Sequence, residues 1–76
     1  MNKDYEELSQ LLRIATRKGF VREFWRLLAE LRKDDATMSR RQVFEGLNDL
    51  YFDTFGEYLY PSYNAFRHSK EFLSRD

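Results

Sequence analysis

Residues that break helices are scarce in this sequence, and this scarcity limits its fold more than any other feature. The 76 residues include only three glycines and one proline, the two residue types that most destabilise a helix interior. Between them, apolar side chains recur at the three- and four-residue spacing of amphipathic helices. The sequence therefore predicts an all-α protein, folded as a compact bundle of four short helices.

Two of these helices are predicted in the first half of the chain. The first, about 4–18, begins with Asp4 and Glu7 at capping-box spacing and ends at Gly19, which suits the left-handed position after a helix. The second, about 21–34, follows at once, so we expect the two to form an antiparallel hairpin. One long helix containing Gly19 is the alternative. The side chains expected in the core are Tyr5, Leu8, Leu11, Leu12, Ala15, Val21, Phe24, Leu27, Leu28 and Leu31.

Two further helices are predicted in the second half. The third, about 39–55, starts at Ser39 with an S-x-x-Q capping box and ends before Gly56. Gly46 inside it suggests a close helix crossing, because glycine otherwise weakens a helix. The fourth, about 62–74, follows the single proline. The side chains expected in the core are Val43, Phe44, Leu47, Leu50, Tyr51, Phe55, Ala65, Phe66, Ser69, Phe72 and Leu73.

Length and composition exclude several classes of protein. The length suits one helical domain spanning residues 1–76. The sequence has no cysteine, which excludes disulfides, thiol catalysis and thiolate metal sites. Its apolar runs are too short for a membrane span or a signal peptide. We therefore expect a soluble, cytoplasmic protein without membrane contact, of a size that suits a phage or mobile-element product.

Charge is segregated along the chain although the formal net charge is zero. Residues 13–33 carry seven basic and two acidic side chains, whereas residues 34–60 carry two basic and six acidic ones. Such segregation predicts either ion pairing inside the fold or two surfaces of opposite charge that face partners.

The second helix offers one candidate binding surface. Arg22, Arg26 and Lys33 lie on one strip of this helix. Trp25 lies between that strip and the apolar stripe. Trp and Arg are enriched at protein interfaces, so one interpretation is a binding ridge for a partner or a phosphate. The other is that the arginines form a solvated face and Trp25 closes the edge of the core.

The third helix offers a second candidate surface, which is acidic. Glu45, Asp49 and Asp53 recur every four residues, and like charges at this spacing destabilise a helix. We therefore expect basic side chains nearby, first of all the arginines of the second helix. Phe52 lies off the apolar stripe beside Asp49 and Asp53, and a large ring bordered by charge is typical of a protein-binding patch. Burial of Phe52 under another part of the chain is the alternative.

The fourth helix supports a DNA-binding alternative. Asn64 and Arg67 are the residue types that pair with adenine and guanine edges, with His68 beside them. Arg40 and Arg41, at the start of the third helix, would contact a phosphate in a helix-turn-helix arrangement. The long connection between the two helices and the acidic third helix weaken this interpretation.

No catalytic motif is present in the sequence, so we expect no enzyme activity, cofactor or metal. The leading hypothesis is a small non-enzymatic binding protein that acts through protein–protein interaction as an adapter, inhibitor or regulator, with a homodimer as a special case. The predicted interface residues are Trp25, Phe52, Arg22, Arg26, Asp49 and Asp53. The alternative is a helix-turn-helix-like regulator that contacts DNA through helix 62–74, using Asn64, Arg67, His68, Arg40 and Arg41.

Overall fold

The computed structural model describes residues 3–74, with side chains from residue 8 onward. Within this range the chain forms five helices and no strand: α1 (Lys3–Ile14), α2 (Arg17–Asp34), α3 (Arg40–Phe55), α4 (Tyr63–Arg67) and α5 (Lys70–Ser74). The predicted all-α bundle is confirmed, and α1 and α2 pack closely against each other. The predicted capping pair Asp4 and Glu7 and the predicted core residue Tyr5 lie outside the described side chains.

The boundary between the first two helices is at Thr16, not at Gly19 as predicted. Thr16 has extended backbone angles, and its side chain accepts a hydrogen bond of 3.0 Å from the Gly19 amide, so it caps the N-terminus of α2. α1 consequently ends at Ile14, and Gly19 lies in the first turn of α2. A glycine is needed there because a Cβ would lie 1.9 Å from the carbonyl oxygen of Arg13.

The predicted limits of the third helix agree with α3. Both hydrogen bonds of the capping box form between Ser39 and Gln42, each 3.1 Å long. Gly56 ends the helix in the left-handed conformation, with φ at 81°. The predicted close crossing at Gly46 is wrong, because no atom would lie within 4 Å of a Cβ there.

The predicted helix 62–74 is two short helices. Ser62 caps α4 by accepting a 3.1 Å hydrogen bond from the Ala65 amide. The Ser69 amide then bonds to the Phe66 carbonyl in a tighter turn, and the Ser69 hydroxyl accepts from the Phe72 amide at 3.2 Å. Because serine competes in this way for backbone groups, it divides the helix.

The core is built largely from aromatic rings. The ring of Phe66 is fully buried, and its centroid lies 4.9–5.7 Å from those of Phe20, Phe24, Phe44, Tyr60 and Phe72. Distances of this size are favourable for aromatic pairs. The predicted core positions that are buried are Val21, Phe24, Leu28, Val43, Phe44, Leu47 and Phe66.

Several predicted core positions are exposed. Leu8 and Leu12 of α1 are 56% and 69% exposed, because α1 enters the core through Ile14. Phe55 and Leu73 are also largely exposed, each at the end of its helix. Ile14 and Phe20 are fully buried core residues that the sequence analysis did not identify. No helix within residues 3–74 is both long and apolar enough to cross a membrane.

Candidate functional site

A groove of about 680 Å³ lies between α2 and α5. Its longer wall is one face of α2 from Arg17 to Trp25, which spans about 12 Å at the rise of an α-helix. The volume falls within the range typical of ligand-binding clefts. The residues that line it are Arg17, Lys18, Val21, Arg22, Trp25, Lys70, Glu71 and Ser74. We call this feature the basic groove.

Positive charge dominates the basic groove. Arg17, Lys18 and Arg22 project from α2, and Lys70 lies on the opposite wall. Among the described residues of the lining, the one carboxylate is Glu71, whose Oε1 accepts a hydrogen bond of 3.2 Å from the Tyr60 hydroxyl. The described lining therefore carries four cations and one anion, which is already bonded within the fold.

The cations of the groove form no ion pair with any side chain that the structure describes. Among the side chains of residues 8–74, ion pairs form only at four cations outside the groove, namely Arg13, Arg26, Lys33 and Arg41. Arg17 instead stacks on the ring of Tyr60, with its guanidinium carbon 5.3 Å from the centroid. The positive charges of the basic groove are thus not neutralised by the described side chains.

Trp25 belongs both to the edge of the core and to the basic groove. Its ring centroid lies 5.0 Å from that of Phe24 and 5.5 Å from that of Phe72, and the guanidinium of Arg40 lies 5.3 Å from its centroid. The ring is only partly buried, and the remainder lines the groove. Trp25 therefore closes the edge of the core, as one interpretation of the sequence predicted, and a binding role for its remaining surface stays a prediction.

Arg26 serves the fold rather than the groove. Its Nε donates to Oε1 of Glu23 at 2.9 Å, and Gln10 of α1 donates to Oε2 at 3.0 Å. Glu23 is only 2% exposed. The bonded Arg26 guanidinium lowers the pKa of Glu23 below its ordinary value, despite the opposing effect of burial, and Glu23 in turn raises the pKa of Arg26. Of the two predicted rim arginines, Arg22 alone lines the groove.

Phe52 lies on a separate surface. Its side chain is 41% exposed, and its ring lies 4.6 Å from that of Tyr58, which is 52% exposed. Because α3 is continuous, Phe52 lies about 18 Å along the helix axis from Arg40, which contacts Trp25. The two predicted anchors, Trp25 and Phe52, therefore do not form one patch.

The acidic residues of α3 lack the basic neighbours expected from α2. Glu45 pairs with Arg41 of its own helix at 3.5 Å. No ion pair at Asp49 or Asp53 is formed by the side chains of residues 8–74. Within the same range, no three His, Asp or Glu residues are grouped so that they could hold a metal. We call the exposed surface formed by Asp49, Phe52, Asp53 and Tyr58 the acidic face.

The residues of the DNA-binding alternative are not presented by one long helix. Arg67 donates a hydrogen bond of 3.2 Å from its Nε to Oδ1 of Asn64. Nδ1 of His68 lies 3.0 Å from the carbonyl oxygen of Asn64. All three lie in or just after the five-residue helix α4. Arg40 stacks on Trp25, and Arg41 pairs with Glu45. Residues 62–74 therefore do not form the single continuous helix that the DNA-binding alternative requires.

Most of the basic groove was not predicted from the sequence. Arg17 and Lys18 belong to α2 together with Arg22 and Trp25, and not to the end of the first helix as predicted. The spacing of residues 17, 18, 21, 22 and 25 nevertheless matches one face of a single helix. Lys70 had no comparable signal, because its position opposite α2 depends on the tertiary fold.

Comparisons with known proteins add no further information about the site. No family model matches the chain, and no curated protein and no solved structure is significantly similar to it.

Proposed function

We propose that this protein is a non-enzymatic protein-binding module, and that its basic groove holds an acidic segment of a partner protein. The observation that carries the proposal is the concentration of four cations around Trp25, none of them paired with a carboxylate among the side chains of residues 8–74. By occupying a partner in this way, the protein would act as an adapter, inhibitor or regulator.

The lining of the groove favours a ligand with both charged and apolar groups. Val21 and Trp25 provide an apolar strip, and the cations flank it. Buried aromatic anchors supply most of the affinity at protein interfaces, whereas rim charges mainly set the association rate and the specificity. An acidic segment with one apolar side chain fits this arrangement, and the 12 Å wall accommodates about four extended residues at the rise of a strand.

Two observations favour a protein segment over a nucleic acid as the anionic ligand. The formal net charge of the chain is zero, whereas proteins that bind DNA rely on a basic surface that displaces several counterions. The helix expected to contact bases is interrupted at residues 68–69. A nucleic acid is therefore the competing ligand that the experiment distinguishes from a protein segment.

The proposal is tested by titrating the full chain with a short peptide in which Asp and Glu flank one Leu. Trp25 is the only tryptophan, so its fluorescence reports directly on the groove. We expect a saturable change that weakens with added salt, because exposed charges are screened. Asn and Gln replace the acidic residues in a control peptide, which we expect not to bind.

Matched variants locate the binding site. Lys18→Ala should weaken peptide binding, whereas Lys33→Ala should not, since Lys33 is an exposed lysine of the same helix outside the groove. Equal binding of the neutral peptide, or absence of binding at low salt, would overturn the proposal. A labelled DNA duplex that binds more tightly than the peptide, and loses affinity in Lys18→Ala, would assign the groove to nucleic acid instead.

A further inference from the structure

The acidic face of α3 complements the basic groove in both charge and apolar character. In the acidic face, the exposed rings of Phe52 and Tyr58 stand beside the carboxylates of Asp49 and Asp53. In the groove, an apolar strip is flanked by cations. The chain therefore carries the kind of surface that the groove is proposed to hold.

We propose that the acidic face of one copy docks into the basic groove of the next, so that the protein associates with itself head to tail. This inference rests on the proposed function, because it names the partner surface that the groove holds. Phe52 would contact the exposed part of the Trp25 ring, while Asp49 and Asp53 would face Lys18 and Arg22 across the interface.

The contact must form between molecules and not within one. Arg40 at the start of α3 contacts the ring of Trp25, and Phe52 lies about 18 Å further along the same continuous helix. The acidic face therefore cannot reach the groove of its own chain. Because the two surfaces differ, their contact is heterologous, and repeated contacts generate rings or open chains rather than an isologous dimer.

The charges on both surfaces favour this contact. Asp49 and Asp53 repel each other at four-residue spacing, and neither forms an ion pair with the side chains of residues 8–74. Lys18 and Arg22 are equally unpaired within that range. Docking brings opposite charges together at an exposed rim, where such pairs are weak individually and sensitive to salt. We therefore expect self-association that increases with protein concentration and decreases with added salt.

Two charge-reversal variants test the inference by sedimentation of the full chain. Arg22→Glu alters only the groove, and Asp49→Lys alters only the acidic face. Both changes place opposite charges at four-residue spacing within their helices, which favours folding, and circular dichroism verifies the helix content. We expect each variant alone to remain monomeric where the unaltered chain associates. An equimolar mixture should form a one-to-one dimer, because one intact groove and one intact acidic face remain.

The outcomes separate this inference from the proposed function. A chain that stays monomeric at every concentration and low salt, while Trp25 fluorescence still reports the acidic peptide, overturns the self-association alone. Failure of both measurements overturns both proposals. Self-association by Asp49→Lys equal to that of the unaltered chain also rejects the inference. Asp34→Lys, at an exposed position at the end of α2, serves as the control reversal and should associate normally.

Discussion

The side-chain amide of Asn48 binds both backbone polar groups of Tyr60. Its Nδ2 donates to the Tyr60 carbonyl oxygen at 2.9 Å, and the Tyr60 amide donates to its Oδ1 at 3.4 Å. Both residues are buried, at 6% and 3% exposure. Asn48 thereby fixes the connection between α3 and α4 and places the Tyr60 hydroxyl against Glu71 of the groove. Buried polar groups require such partners, so this contact links the core to the groove wall.

Replacing Asn48 should therefore destabilise the fold substantially. In Asn48→Ala the carbonyl and amide of Tyr60 lose their partner while buried, which costs about 2–3 kcal/mol of the free energy of unfolding. Urea denaturation followed by circular dichroism measures this loss. Asn64→Ala is the matched control, because Asn64 is exposed, and we expect a change within about 0.5 kcal/mol. Equal losses in the two variants would contradict the role assigned to Asn48.

Two glycines in helices should respond in opposite ways to alanine. In Gly19→Ala the new Cβ meets the Arg13 carbonyl oxygen, so α1 and α2 must separate and the melting temperature should fall. In Gly46→Ala the new Cβ has no neighbouring atom within 4 Å. The higher helix propensity of alanine should therefore stabilise the protein by up to about 1 kcal/mol. A change of this size raises the melting temperature of a small domain by about 4–8 °C. A rise in both variants would mean that α1 and α2 tolerate the added methyl group.

Local sequence signals predicted α3 almost completely. Its capping box and its terminal Gly56 involve only residues within one turn of each helix end, so no tertiary information was needed. The boundary between α1 and α2 was harder to predict, because threonine and glycine both commonly occur at helix ends, so that Thr16 and Gly19 each fit a boundary by residue type alone. The close contact between Gly19 and Arg13 of the neighbouring helix, which requires glycine, is a tertiary feature.

The groove and the buried polar contacts were predicted less well because they join distant residues. Glu23 bonds to Gln10 thirteen positions earlier, and Asn48 bonds to Tyr60 twelve positions later. The sequence shows such a residue as a polar interruption of an apolar stripe but does not identify its partner. Lys70 lies opposite α2 in the groove, and the apolar spacing alone did not indicate this position.

The pairing of Glu23 with Arg26 should make stability depend on acid pH. The folded state lowers the pKa of Glu23. The Glu23 carboxylate therefore contributes fully to the free energy of unfolding above the ordinary glutamate pKa of about 4.3. This contribution is lost as the pH falls through the lower pKa of the folded state. Glu23→Gln should cost roughly 1–3 kcal/mol at pH 7 through the weakened charged hydrogen bonds. Denaturant unfolding at pH 7 and at pH 3 measures the free energy of unfolding of Glu23→Gln and of the unaltered protein. The difference between the two proteins should be smaller at pH 3 than at pH 7.

The exposed Glu45 provides the control for that measurement. Its ion pair with Arg41 lies on the surface of α3, with both side chains more than half exposed, and such pairs contribute little. Glu45→Gln should therefore change stability by less than about 1 kcal/mol at either pH. A difference for Glu23→Gln that stays constant between pH 7 and pH 3 would show that the buried carboxylate does not act through its charge.

Tyr60 should make stability depend on alkaline pH. Burial raises the pKa of the Tyr60 hydroxyl to about 12, so the folded state favours the neutral phenol. The neutral phenol therefore contributes to the free energy of unfolding below about pH 10, the ordinary tyrosine pKa. This contribution is lost as the pH rises from there towards about 12. Spectrophotometric titration should show a late phenolate step near pH 12, and Tyr60→Phe should abolish that late step. Tyr58→Phe removes an exposed ring hydroxyl and should leave the late step in place. Loss of the late step in Tyr58→Phe, or its survival in Tyr60→Phe, would contradict the assignment of the buried hydroxyl beside Glu71.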